Sequence, residues 1–164
     1  MADLLVRLYD LPPAAPLVEA LAAAGVTVRR ALAPERDAVV AWARAHGSAG
    51  WAGECEVAFA RVPLACFVAV EQAAAPGGGA DIVGFACYEA TCRDFFGPEL
   101  VRPDRRGRGI GRALLLSALG AMRAEGYAYA IIGWADNVDF YARAAGAVVI
   151  AGSDPGIYPR PLLR

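Results

Sequence analysis

Lysine is missing from this chain, so all 16 of its basic side chains are arginine, and His46 is its one histidine. A P-loop is thereby excluded, because that motif needs a lysine after its last glycine to reach the outer phosphates. Nor is there a lysine side chain to be acylated. Cysteine is sparse. Cys55, Cys66, Cys87 and Cys92 show no Cys-x-x-Cys spacing, and one histidine does not complete a zinc set, so no metal is expected. The four read as small buried hydrophobes in a reducing compartment. His46, just before Gly47, reads as the last residue of a helix. Also absent is any apolar run of about eighteen residues, the length of a membrane span. The first residues lack the basic and apolar regions of a secretory signal. A cytoplasmic protein with no membrane partner is expected. The net charge of −1 and the pI near 5.8 lack the basic excess of a nucleic-acid binder, so no nucleic-acid partner is expected either.

At 164 residues, 57% of them hydrophobic, the chain is long enough for one domain with a packed core. Its heavy use of alanine and arginine reads as the codon bias of a GC-rich bacterial genome. The most informative stretch runs from Glu99 to Gly126. Leu115, Ala118, Leu119 and Met122 fall at i, i+3, i+4 and i+7 and predict one apolar helix stripe, stopped at Gly126. Before this helix, Gly107, Gly109 and Gly111 alternate with Arg106, Arg108, Ile110 and Arg112. Glycine at every second position lets main-chain N–H groups approach an anion closely. Those groups stand at a helix N-terminus, where unsatisfied donors and the helix dipole favour negative charge. The stretch predicts a phosphate cradle, and the arginines from 102 to 112 form a local patch suited to a small polyanion. A dinucleotide fingerprint does not fit, because the sixth position from Gly107 is Arg112 where glycine is required.

The rest of the chain reads as a series of short elements. Leu4–Leu8 predicts a strand, and Leu17, Leu21 and Ala24 place a helix over about 14–24. Val26–Leu32 alternates as a strand, and Pro34 opens a helix to about Ala45. Trp51, Glu54, Glu56 and Phe59 suit a surface helix with its carboxylates outward. Strands follow at Cys66–Glu71, Asp81–Thr91 and Phe95–Val101, with a glycine-rich hairpin loop over Ala73–Ala80. Tyr127–Gly133 reads as a buried parallel strand, Asp136–Ala145 as a helix, and Ala147–Ala151 as a last strand, followed by a turn at Ser153–Gly156. This order predicts an α+β sandwich with a mixed, mainly antiparallel sheet.

At Val101-x-Pro103 and Arg106-Gly107-Arg108-Gly109-Ile110-Gly111 the chain resembles the GNAT family of acyl-CoA-dependent N-acyltransferases. That family's central pattern is a strand ending Val-x-Pro, then Arg/Gln-x-x-Gly-x-Gly/Ala opening a helix. The resemblance extends over about Val26–Ile150. It implies a three-layer α/β/α sandwich whose sheet splays between the fourth and fifth core strands, so that pantetheine enters like an extra strand. Residues 1–25 are then a strand-helix extension to a single acetyltransferase domain at 26–164, and a homodimer built through the extension stays open.

The resemblance further implies acetyl-CoA as cofactor, CoA as product, and a primary amine of a small molecule or peptide as acceptor. Main-chain groups of Leu100 and Val101 would hold pantetheine. Those of Arg106, Gly107, Arg108, Gly109, Ile110, Gly111 and Arg112 would hold the pyrophosphate. Phe140-Tyr141 with Gly146-Ala147 is similar to the family's Phe/Leu-Tyr-x-x-x-Gly-Phe segment, with one residue more between Tyr and Gly; it makes Tyr141 the general acid. The family's asparagine about seven residues before that tyrosine is replaced by Trp134, and Asn137 lies four before it. Glu54 and Glu99 are the favoured bases or receivers of a cationic amine, with Glu89 and Asp94 as further carboxylates. A non-catalytic acyl-CoA-binding regulator is the alternative.

Overall fold

Alternation and amphipathic spacing determine the elements of the computed structural model, which describes residues 1–72 and 79–157. Strands β1 (Leu4–Arg7), β2 (Val26–Arg30), β3 (Cys66–Gln72), β4 (Ala80–Tyr88), β5 (Phe95–Val101), β6 (Tyr129–Ile132) and β7 (Val148–Val149) form one sheet. Helices α1 (Ala15–Ala23), α2 (Arg36–His46), α3 (Ala49–Phe59), α4 (Ile110–Ala124) and α5 (Val138–Ala145) connect them. In β2 the predicted alternation holds, with Val26 and Val28 buried and Thr27 exposed. The stripe of α4 is buried and broad, and Gly126, at φ +102°, follows its end. Ser48 starts α3: its Oγ accepts the Trp51 N–H at 3.1 Å. Most of the expected loop at Ala73–Ala80 lies outside the described residues.

The sheet order is β2-β3-β4-β5-β6-β1-β7, and every pairing is antiparallel except β5 with β6. Adjacent residues of β4 show that helices cover both faces. A Cβ at Gly84 would stand 3.0 Å from Leu114 of α4, while the next side chain, Phe85, meets Trp42 of α2 with ring centroids 5.9 Å apart. Since successive side chains point to opposite faces, α4 lies on one side and α2 on the other. The α/β/α sandwich and the mixed sheet agree with expectation.

Residues 1–25 are built into this frame. Strand β1 is inserted between β6 and β7, pairing Leu4–Arg7 with Tyr129–Ile132 and Leu4–Leu5 with Val148–Val149. Helix α1 runs beside β2, and Leu17 reaches the glycine loop that precedes α4. Several boundaries differ from expectation: β2 stops at Arg30, not Leu32, and β6 spans Tyr129–Ile132, not Tyr127–Gly133. Strand β4 ends at Tyr88 because Glu89 takes a left-handed φ of 57°, which breaks the extended chain. Helix α5 begins at Val138, since Asn137 is its cap. Strand β7 has only two residues: Ile150 N–H still bonds Asp3 O at 2.9 Å, but the Ile150 carbonyl accepts from Ser153 N–H at 3.2 Å and Oγ at 2.7 Å, which turns the chain away. Among the described residues, no helix is long and apolar enough to cross a membrane.

Candidate active site

The cleft arises where β5 leaves β6. Only Phe95 with Ile131 and Phe96 with Ile132 are paired. On the other side of β5, Phe96 stands opposite Tyr88 but Glu99 opposite Ala86, so Gly97 and Pro98 together face Cys87. This is a bulge, which bends the strand and accepts a proline that has no N–H to give. Beyond it, counted from β2, the fourth and fifth strands splay as expected. Arg102 N–H donates to Val83 O at 2.9 Å, and Val101 lies opposite Gly84. Alternation then turns the main-chain groups of Leu100 toward β4 and those of Glu99 and Val101 into the gap. The resulting cavity is about 1230 Å³, and side chains of Leu100 and Val101 line it.

At one end of the cavity lies the glycine loop. Gly107 and Gly109 have φ of +76° and +85°, conformations that a side chain strains. Gly111 brings the loop against the acid: a Cβ there would stand in contact with Glu99 Oε1 at 3.4 Å and Phe140 at 3.6 Å. Arg106, Gly107, Gly109, Ile110, Gly111 and Arg112 line the cavity. Arg106 also donates from Nε to Val101 O at 3.1 Å, which ties the loop to the strand end. Arg108 is turned away. Its guanidinium donates to Glu71 Oε1 at 2.9 Å, and Arg105 donates to the other oxygen at 2.6 Å. These two arginines hold the Glu71 carboxyl below its ordinary range. Sequence spacing gave no sign of Glu71, which reaches the loop only because β3 ends beside it.

Glu99 and Tyr141 meet next to the loop. Oε1 of Glu99 is enclosed and has no hydrogen-bond partner, and the Tyr141 hydroxyl lies near the carboxyl. Burial pushes Glu99 up to about 8, although the nearby Tyr141 hydroxyl opposes it. Burial, and then the neighbouring Glu99, raise the Tyr141 phenol above 10.0. The Tyr141 ring is packed against Phe140 at 5.0 Å and Phe96 at 6.4 Å, which fixes its direction.

Glu54 enters the cavity from α3. That helix buries Ala52, Cys55 and Ala58, which puts Glu56 outside but leaves half-buried Glu54 on the flank facing the cleft. The expectation of both carboxylates outward is corrected there. Thr91 Oγ1 donates to Glu54, and burial raises the Glu54 carboxyl. Trp51 lines the same wall.

Glu89 and Asp94 do not line the cavity. Glu89 is buried, pairs with Arg61 and accepts the Asp94 N–H at 2.5 Å, so it closes the β4–β5 turn and is no candidate base. Asn137 spends its Oδ1 on the Phe140 N–H at 3.1 Å. Cys55, Cys66 and Cys87 are buried as expected. Cys92 is exposed, because it sits in the turn after β4. Among the described residues no group of side chains is arranged to hold a metal. His46 ends α2 and stacks on Trp42 at 4.3 Å, within its own helix.

Among solved structures, a glucosamine N-acetyltransferase region of a fungal multi-domain GH3 β-N-acetylglucosaminidase matches with TM-score 0.69 and 15% identity. The match covers 91% of this chain and 19% of the fungal protein. A GCN5-related N-acetyltransferase from Sphaerobacter thermophilus matches with TM-score 0.66 and 22% identity, over 91% of this chain and 48% of that one. A Drosophila protein matches with TM-score 0.59 and 11% identity, over 91% and 47%. The chain thus spans less than half the length of each of them, and identities this low speak for the fold alone. No curated protein sequence matches the chain. Residues 63–144, half of the sequence, match the profile of the acetyltransferase (GNAT) domain, and with the splayed sheet and glycine loop described above, the chain belongs to the GNAT acetyltransferase family.

Proposed function

We propose that the protein transfers the acetyl group of acetyl-CoA to a primary amine by direct attack within a ternary complex. The observation that carries this reading is the Glu99–Tyr141 pair set against the cradle at Gly111. The cradle fits a pyrophosphate. Its glycines leave main-chain N–H groups uncovered at the start of α4, and Arg106 and Arg112 face the same space. The main-chain groups of Glu99 and Val101 suit the amide groups of pantetheine. Bound acetyl-CoA supplies a thioester carbonyl open to attack by a neutral amine.

The chain's own residues then handle protons. An amine arrives as an ammonium and must lose a proton before attack. Glu99, with a pKa near 8, is matched to that task close to neutral pH, taking the proton on the carboxylate. Tyr141 keeps its own proton across the neutral range and gives it to sulfur as the carbon–sulfur bond breaks. Glu54, held by Thr91, draws the ammonium into the cleft by charge.

Calorimetry with acetyl-CoA and an amine panel read out by CoA release test this. Binding near a 1:1 ratio and CoA release are expected. Tyr141→Phe should lower kcat by about 10²–10³ while acetyl-CoA affinity stays within threefold, as for loss of a general acid. Protein that ignores acetyl-CoA refutes the reading; binding with no turnover on any amine makes the chain an acyl-CoA-binding regulator.

A further inference from the structure

Past the last pair of β5 with β6, Phe96 with Ile132, an unbroken parallel register would set Pro98 beside Trp134. The strands splay there instead, and both residues line the cavity. Trp134 thus stands at the narrow end of the gap. The glycine loop is at the other end, because it follows the end of β5 at Val101. The Trp134 main chain has a φ of 52°, which a bulky residue takes only where its surroundings impose it. Two bonds from distant parts of the chain do so. Trp134 N–H donates to Oδ1 of Asp3 at 2.9 Å, and the indole Nε1–H donates to Pro155 O at 2.9 Å. Asp3, only 7% exposed, immediately precedes β1, so the strand-helix extension holds this wall of the cleft. An indole tied through its main chain and its ring nitrogen does not turn aside for a ligand.

We infer that Trp134 is the residue that restricts the donor to a short acyl group, acetyl above longer chains; this rests on the acetyltransferase reading above. With pyrophosphate at the glycine loop and pantetheine along Glu99 and Val101, the thioester end points back along β5 toward Phe96. The acyl group is therefore delivered to the narrow end of the gap, where Trp134 stands. A two-carbon group is accepted. Further methylenes are driven against a side chain that is fixed at two points, and crowding of this kind costs about tenfold or more in affinity. Glycine would take the same φ without strain but would leave this end of the gap open. The strained tryptophan keeps it narrow.

Calorimetry of the full chain with CoA, acetyl-CoA and hexanoyl-CoA tests this without an acceptor amine. Hexanoyl-CoA should bind at least about tenfold more weakly than acetyl-CoA. Trp134→Gly and Trp134→Asn both accept the observed φ, and each should bring the two ligands within about threefold of one another. Affinity for CoA itself, which carries no acyl group, should stay within about threefold of the parent in both variants, a result that a folding defect does not produce. Hexanoyl-CoA bound as tightly as acetyl-CoA by the parent overturns the inference and leaves the acetyltransferase reading standing. So does a gap that survives in the variants. A chain that binds neither CoA nor acetyl-CoA refutes the acetyltransferase reading, and the inference falls with it.

Discussion

Replacing Glu99 by glutamine should make the protein more stable, increasingly so as pH rises from 4.5 to about 8. The carboxyl is held near 8 in the folded protein against an ordinary 4.5, because burial disfavours its charge. The folded state keeps a proton that the unfolded chain releases. This group's contribution is therefore complete below pH 4.5 and is lost as pH rises to about 8. At ~1.4 kcal/mol per pH interval between those values, the loss has a ceiling of about 5 kcal/mol. Water in the open cleft relieves part of it, so about 2–4 kcal/mol is expected. Glutamine keeps the shape and cannot ionise. Urea unfolding of both proteins at pH 5, 7 and 9 isolates the difference, since all other groups titrate alike in the two. The midpoints should lie within about 0.5 M of each other at pH 5, where less than about 1 kcal/mol has been lost, and the variant's should exceed the parent's by about 1 M or more at pH 9. A gap that is the same at all three pH values would refute the assignment of a neutral, buried Glu99.

The same carboxyl sets the pH profile of turnover. kcat/KM should climb about tenfold per pH interval below 8 and level off above it, and the climb should vanish in Glu99→Gln. Gly109→Val places a branched side chain at φ +85°, with Leu17 only 3.2 Å from the new Cβ; that strain of about 1–3 kcal/mol should weaken acetyl-CoA tenfold or more in calorimetry, with the circular dichroism of the fold retained. Gly84→Val puts a Cβ 2.9 Å from Leu100 O and 3.0 Å from Leu114, between sheet and α4, and should cost about 1–3 kcal/mol, visible as a lower Tm; an unchanged melt would contradict the close packing there.

Much of this protein was legible along the chain because the relevant physics is local. Backbone freedom at Gly107 and Gly109, the apolar stripe of α4 and the alternation of β2 are properties of neighbouring residues, and they determine the elements and the glycine loop. The family pattern around Arg106–Gly111 and at Tyr141 likewise lies within short segments. What decided the rest was distance across the fold. Glu99 and Tyr141 are 42 positions apart, and only tertiary packing brings them to one cleft and buries the carboxyl, which gives it its high pKa. The tether of Arg105 and Arg108 by Glu71, the Glu54–Thr91 bond and the Arg61–Glu89 pair depend in the same way on sheet order. Residues 1–25 make the point most plainly: their sequence specifies a strand and a helix, but β1 finds its place between β6 and β7 because that edge of the sheet offers unpaired main-chain groups. Sequence alone determined which segments would be strand, helix and glycine loop; tertiary structure decided which carboxyl is buried and which arginines line the cleft, because charge and burial are set by neighbours in space.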